Sequence, residues 1–167
     1  MSDMPHTLKV VTVWLVAGLL VFLGFQAWER RQQQARFQAQ GDVIEIRRGA
    51  DGHYHWPGRI NGRAVDFLID TGATGTAMSQ ALATQLGLKV IGQVQSHTAG
   101  GTVDASVVQA NLSLNGGVKV ERMHIAALRG LDDEQPLLGM DVLSKLRWQQ
   151  HQGVMSIDLR APKTGLP

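Results

Sequence analysis

Apolar and polar residues alternate along most of this chain in short runs, and glycine-rich turns separate the runs. Asp42-Val43-Ile44-Glu45-Ile46-Arg47 alternates enough to predict a first strand. Ala50-Asp51-Gly52 is a turn. His53–Ile60 and Arg63–Ile69 then flank Asn61-Gly62, a dipeptide that accepts positive φ at both positions and predicts a tight hairpin. Pro57 has no N–H for a central ladder, so His53–Ile60 is expected at an edge or with a bulge. Thr76-Ala77-Met78 reads as short and extended; Ser79 has the character of an N-cap for a helix over Gln80–Leu86, with Gly87 at C′. Lys89–Thr98 and Thr102–Ala110 flank Ala99-Gly100-Gly101 as one hairpin. Asn111–Leu114 and Val118–Ala126 flank Asn115-Gly116-Gly117 as another. Leu128–Pro136 is a polar loop, Asp141–Leu146 a short helix, and Arg147–Gln150 with Val154–Leu159 close on Gln152-Gly153. Many short strands and little helix predict a closed all-β domain without internal repeats.

The N-terminus follows a different pattern. From Val10 to Trp28 there are 19 residues without a charge. As a helix they span about 28 Å, close to the hydrocarbon thickness of about 30 Å, with Trp14 and Trp28 near the two interfaces. Phe25-Gln26-Ala27 is a poor cleavage site, so an uncleaved anchor is favoured over a signal peptide. The chain then divides into a tail (1–9), a transmembrane anchor (10–28), a polar Gln-rich stalk (29–41), a folded domain (42–160) and a C-terminal tail (161–167).

Charge narrows the partners. Lys9, Arg30, Arg31 and Arg36 against Asp3 and Glu29 account for the net +2, leaving 12 basic and 12 acidic residues from Asp42 onward. No basic cluster interleaved with aromatics occurs there, so nucleic acid is not an expected partner. The chain has no cysteine, which excludes a disulfide framework, a thiol nucleophile and thiolate metal sites.

The candidate chemistry begins where the apolar run Val65–Ile69 delivers Asp70-Thr71-Gly72-Ala73. A strand that ends in Asp-Thr-Gly presents a carboxylate on a tight turn, where two such carboxylates can meet face to face. Downstream lie the Gly-rich turn Thr98–Thr102 and then Leu137-Leu138-Gly139-Met140-Asp141-Val142-Leu143. In that order these segments resemble the retropepsin-like aspartic proteases, most closely their bacterial membrane-anchored single-domain branch, over about Gly52 to Leu159. Further matching stretches are Asn61-Gly62-Arg63, Phe67–Thr74 and Leu143–Leu146.

The resemblance implies a closed acid-protease β-barrel with one or two short helices, preceded by the transmembrane helix, and an aspartic endopeptidase acting on protein or peptide substrates. An ionised carboxylate takes a proton from water while a protonated carboxyl polarises the scissile carbonyl. Only one Asp-Thr-Gly is present, so the second must come from another copy, an isologous homodimer with Asp70 at the two-fold axis. The resemblance assigns Thr71 a bond across that axis, Gly72 a close backbone approach to the carboxylate, and Gly139 a packing position behind the loop. Ala73 and Thr74 would line the substrate strand, although many retropepsins carry an acidic residue or Ser where Thr74 stands. Ala99, Gly100 and Gly101 would form the tip of a substrate-covering flap. Asp141 reads as a helix cap. No cofactor is implied.

Weaker candidates remain. His53 and His55 share a strand face, which suits a metal only with a third ligand that spacing does not mark; exposed strand histidines are the simpler reading. His97 reads as solvent-facing, and Asp132-Asp133-Glu134 lacks the spacing of a calcium loop. The positive-inside tendency puts the folded domain in the cytoplasm, whereas the resemblance implies the periplasmic side of a bacterial inner membrane and is preferred. The alternative to an enzyme is a catalytically silent, membrane-tethered peptide-binding or dimerisation module of the same fold.

Overall fold

The computed structural model describes residues 11–25, 37–98, 101–131 and 135–160. It divides into two compact units, 1–36 and 37–167. In the first unit residues 11–25 are helical (α1), and every side chain is exposed, including Trp14, Val21 and Phe22. Fifteen helical residues rise about 22 Å, and among the described residues no helix is long and apolar enough to cross a membrane. The remainder of the expected 10–28 segment lies outside the described residues.

The second unit holds two sheets. The smaller has the order β1-β2-β11-β10, from β1 (Phe37–Gln40), β2 (Val43–Arg47), β10 (Arg147–His151) and β11 (Val154–Asp158), all antiparallel. Here the structure differs from the sequence expectation. The stalk expected over 29–41 ends early, because Phe37–Gln40 pairs residue by residue with β2 and Phe37 packs on the core. Gln152 and Gly153, both at positive φ, make the tight β10–β11 turn.

The larger sheet carries the other strands: β3 (Tyr54–Ile60), β4 (Arg63–Ile69), β5 (Ala77–Ser79), β6 (Val90–Thr98), β7 (Gly101–Leu114), β8 (Val118–Leu128) and β9 (Leu137–Leu138). Their order is β3-β4-β9-β5-β8-β7-β6, and an additional β3–β7 pairing closes the first six into a barrel. The expected closed all-β domain is therefore present, with β6 projecting beyond the closure.

Pro57 sits where the environment of β3 changes. β4 pairs with β3 along its whole length, but β7 covers its other side only from Gly58 to Ile60. The proline thus stands just before the stretch in which a second ladder begins, and its carbonyl accepts from Asn115 N–H. Asn61 and Gly62 adopt φ of 48° and 85°, and the β3–β4 hairpin turns there as expected.

β7 is a single 14-residue strand and absorbs Asn111–Leu114, which the sequence pattern separates. Its register shifts between Ala110 and Leu112, so apolar positions of both halves can face inward. Asn111 fastens the shift: its N–H donates to Asn61 Oδ1 and its Oδ1 accepts from Arg122 N–H, both at 2.8 Å. β8 likewise runs two residues past its expected end, to Leu128.

Two short helices follow strands. Ser79 caps α2 (Gln80–Gln85) by accepting from Leu82 N–H, and Gly87 at φ 68° ends it, both as expected. Arg63 Nη1 donates to the Gln85 carbonyl at the helix end. Fully buried Trp56, Phe67, Ile60, Val108, Ile125 and Leu138 of the barrel share one core with Ile44, Ile46, Met155 and Ile157 of the small sheet. Trp56 places its indole N–H on the Asn115 carbonyl at 2.8 Å, and Gly116 beside it is pressed against Ile44, leaving no room for a β-carbon.

Candidate active site

β4 is the strand that delivers the candidate carboxylate. Phe67 and Ile69 point into the core while Leu68 and Asp70 are half-buried, an alternation that carries the chain out of the barrel at Asp70. The segment 70–76 then turns on itself. Gly72 N–H donates to Asp70 Oδ1 at 2.8 Å, and Ala73 N–H donates to the Asp70 carbonyl at 3.3 Å. A β-carbon at Gly72 would lie 3.2 Å from that same Oδ1, so a bare residue suits this close approach. Thr71, Gly72 and Thr74 are exposed and Ala73 is half-buried.

A second segment, 136–141, is sewn alongside. β9 pairs parallel with β4, Leu68 opposite Leu137 and Ile69 opposite Leu138. Leu68 N–H donates to the Pro136 carbonyl and Asp70 N–H to the Leu138 carbonyl. The direction then reverses: Met140 N–H donates to the Ala73 carbonyl at 2.9 Å and Asp141 N–H to the Thr74 carbonyl at 3.1 Å. Gly139 lies where the two segments cross. A β-carbon there would come within 2.5 Å of the Gly75 carbonyl group, so only glycine fits. Gly139 thus packs directly against the backbone at the end of the Asp70 turn.

Asp141 differs from its expected role as a helix cap. The short helix α3 (Met140–Leu143) starts one residue before the expected Asp141–Leu146 and ends before it, with Gly139 at its N-cap and no side-chain capping bond. The Asp141 carboxylate turns instead toward Thr76. Its Oδ2 accepts from Thr76 N–H and its Oδ1 from the Thr76 hydroxyl, each at 2.8 Å. The same hydroxyl oxygen accepts from Gly139 N–H at 3.2 Å. Thr76, only 2% exposed, is a site residue that sequence reasoning missed. The only signal for it is a hydroxyl residue at the end of the Asp70 turn, which a local reading gives no partner.

The expected hairpin forms from β6 and β7, with pairing continuous from Gly92–Val107 to Thr98–Gly101. Gly101 adopts φ 114°, a value that L side chains resist. Ala99 and Gly100 lie outside the described residues, as do the His97 side chain and Asp132-Asp133-Glu134.

Across the β3–β4 ladder from the strand that delivers Asp70, His55 stands opposite Leu68. His53 precedes β3 and is exposed, but His55 is half-buried, against the expectation of two exposed strand histidines. Its Nε2 lies 2.7 Å from Asp51 Oδ2 and its Nδ1 3.4 Å from Asp66 Oδ2. Desolvation pulls the Asp51 carboxyl up, but hydrogen bonds from the His55 ring and the His53 amide outweigh it and hold the group below its ordinary value. Among the described residues no group of three potential ligands is placed to hold a metal ion.

Residues 56–145, more than half of the chain, match the family described as "gag-polyprotein putative aspartyl protease". Among solved structures, a retropepsin-like aspartic protease from Rickettsia conorii is 21% identical, with a TM-score of 0.56 over 73% of this chain and 94% of that one. The protease of a simian foamy virus is 21% identical over 54% and 91% of the two chains, with a TM-score of 0.42. An inhibitor complex of EIAV protease is 23% identical over 57% and 89%, with a TM-score of 0.43. No curated protein matches the sequence.

Proposed function

The chain belongs to the retropepsin-like aspartic proteases and is an aspartic-type endopeptidase, and from that premise we propose that it acts as a membrane-anchored homodimer with Asp70 of each copy as its catalytic pair. The observation that carries this reading is the Asp70 turn itself. Each chain supplies one Asp-Thr-Gly, on a loop fixed from behind by 136–141 and exposed in front at Thr71, Gly72 and Thr74. An exposed front on a fixed back is what a second copy would cover.

In the dimer the two carboxyls approach to about 3 Å and hold one proton between them, because both cannot ionise cheaply at that distance. The ionised carboxylate takes a proton from water as the water oxygen attacks the scissile carbonyl carbon. The protonated carboxyl gives its proton to the carbonyl oxygen, forming a tetrahedral diol. Collapse of the diol returns a proton to the dyad, transfers one to the leaving nitrogen and breaks the C–N bond. Thr71 bonds across the two-fold, Ala73 and Thr74 line the bound peptide, and Ala99, Gly100 and Gly101 close over it. Activity on the acid side of neutrality follows from the shared proton.

The apolar α1, exposed on every side, supports an anchor over 10–28 in a bacterial inner membrane. The protease domain would face the periplasm.

The test is cleavage of an unstructured protein by the full chain in detergent micelles, from pH 3 to 8, beside Asp70→Asn. Loss of cutting by about 10²–10⁴-fold in the mutant is expected. Undiminished cutting by Asp70→Asn would overturn the assignment. If neither protein cuts while the mass is that of a dimer, the silent peptide-binding module takes its place.

A further inference from the structure

We infer that Thr76 and Asp141 form a positioning clamp that sets where the Asp70 carboxylate points, an inference that rests on Asp70 being the catalytic group. The clamp joins residues 65 positions apart, at the far end of the turn that begins with Asp70. Every polar atom in it has a defined task. The Thr76 hydroxyl donates to Asp141 Oδ1 and accepts from Gly139 N–H, while Thr76 N–H donates to Asp141 Oδ2. Two donors on one carboxylate, one to each oxygen, fix its plane.

The mechanical consequence follows from the surrounding bonds. Asp70 is tied at its own N–H to the Leu138 carbonyl, and the loop is tied again at the Ala73 and Thr74 carbonyls by the amides of Met140 and Asp141. Those three backbone bonds hold the loop against 138–141, and past its end Ala126 N–H donates to the Thr76 carbonyl where β5 pairs with β8. The clamp adds a tie from Thr76 directly to 139–141, the segment that also holds Ala73 and Thr74. With 70 fixed at one end and 76 at the other, Gly72 N–H stays on Asp70 Oδ1 and the carboxylate keeps a single rotamer. Buried polar networks of this kind, fully satisfied, rigidify the segment they bridge.

Asp141 does not meet the reacting atoms in this account, and neither does Thr76. Both act through Asp70. Correct orientation of a catalytic group is worth a large rate factor, and a displacement of about 1 Å can cost about a hundredfold.

Thr76→Val, which keeps the shape and removes the hydroxyl, tests the clamp beside Thr76→Ser, which keeps the hydroxyl and removes the methyl. In the full chain, Thr76→Val should lower kcat about 10–100-fold with KM within about twofold. Its Gly72 and Ala73 amides should exchange with solvent at least about tenfold faster. Thr76→Ser should restore most of both. Equal losses in the two variants would assign the effect to methyl packing and overturn the inference, as would wild-type kcat and amide protection in Thr76→Val. If Thr76→Val does not fold, the same readouts are taken on Asp141→Asn, whose amide oxygen still accepts one bond from Thr76; wild-type values there overturn the inference as well. Asp70→Asn measured in parallel separates the two questions. Cutting that survives in Asp70→Asn removes the catalytic reading, while the amide exchange of Thr76→Val still reports on the clamp alone.

Discussion

The turn at 70–76 and the arm formed by β6 and the first half of β7 are built in opposite ways. The turn is short and irregular, yet 136–141 holds it by backbone hydrogen bonds at Asp70, Ala73 and Thr74, and by the Asp141 carboxylate at Thr76. The arm is regular β-structure, yet no described side chain of β6 from Val90 to Ser96 is buried, and Ile91 is 52% exposed. Regularity and rigidity therefore separate in this fold. Hydrogen bonds to a neighbouring segment fix the turn, while the arm has only its partner strand. A site that must hold a carboxylate still and also admit a peptide needs both kinds of segment.

Glycine substitutions break this comparison most directly. Gly139→Ala should cost about 3 kcal/mol, the upper part of the range for overpacking, because the new methyl meets the Gly75 backbone and that backbone is itself tied down. Chemical denaturation reads the loss as a lower midpoint with an unchanged slope. A cost under about 1 kcal/mol would mean that the turn yields and is no more rigid than the arm.

Val108→Ala sharpens the boundary between arm and barrel. Val108 has no exposed surface although its partner across the ladder, Val90, is half exposed. A loss of about 2 kcal/mol is expected, within the range for large-to-small changes in a core. Val90→Ala should stay within about 0.5 kcal/mol, as surface substitutions do. Equal effects would place the boundary elsewhere along β7.

Gly101→Ala is the converse of Gly139→Ala. Its φ of 114° strains any side chain, but the added methyl meets nothing. If the arm opens locally, this strain is relieved without global unfolding, and the midpoint should move by less than about 0.5 kcal/mol.

The smallest effect concerns pH. Bonds from the Arg160 side chain hold the Asp158 carboxyl below its ordinary value of 3.8, and Asp51 is lowered too, by its histidine partners against desolvation. A carboxyl lowered in the folded state adds stability above its unfolded value and loses it as the pH falls through the folded one. Melting temperature should thus fall below about pH 4, and Asp158→Asn should remove only a small part of that slope because the pair is exposed. A slope that steepens in the mutant would contradict the sign.

Local patterns carried most of the barrel. Asn61-Gly62, Gly87 and Gln152-Gly153 act through their own backbone and Ser79 through its side chain on a nearby amide, so their turns and caps lie where the residues stand. Asp70 and Gly139 were also legible, since a strand that ends in Asp-Thr-Gly and an apolar pair followed by glycine are contiguous signals. What escaped was non-local. Phe37-Gln38-Ala39-Gln40 alternates over only four residues at the end of a Gln-rich stretch and becomes a strand because β2 offers it an edge. Asn111 looks like the start of a separate strand and is the pivot of one longer strand, since its partners lie elsewhere, Asn61 in the β3–β4 turn and Arg122 on β8. Asp141 opens a helix and so reads as its cap; the parallel pairing of β9 with β4 turns it toward Thr76.

The small sheet also sets how far the chain can be shortened. β2 lies between β1 and β11, and its Ile44 and Ile46 have no exposed surface. A cut upstream of Phe37 leaves both sheets whole, whereas a cut between Asp42 and Arg47 removes the strand that seals one side of the common core. Gly116, at φ 97° and pressed against the Ile44 side chain, packs the β7–β8 turn onto that seal. For any protease that trims this protein from its N-terminal side, the stop line is drawn by a strand far along the chain from the Asp70 turn.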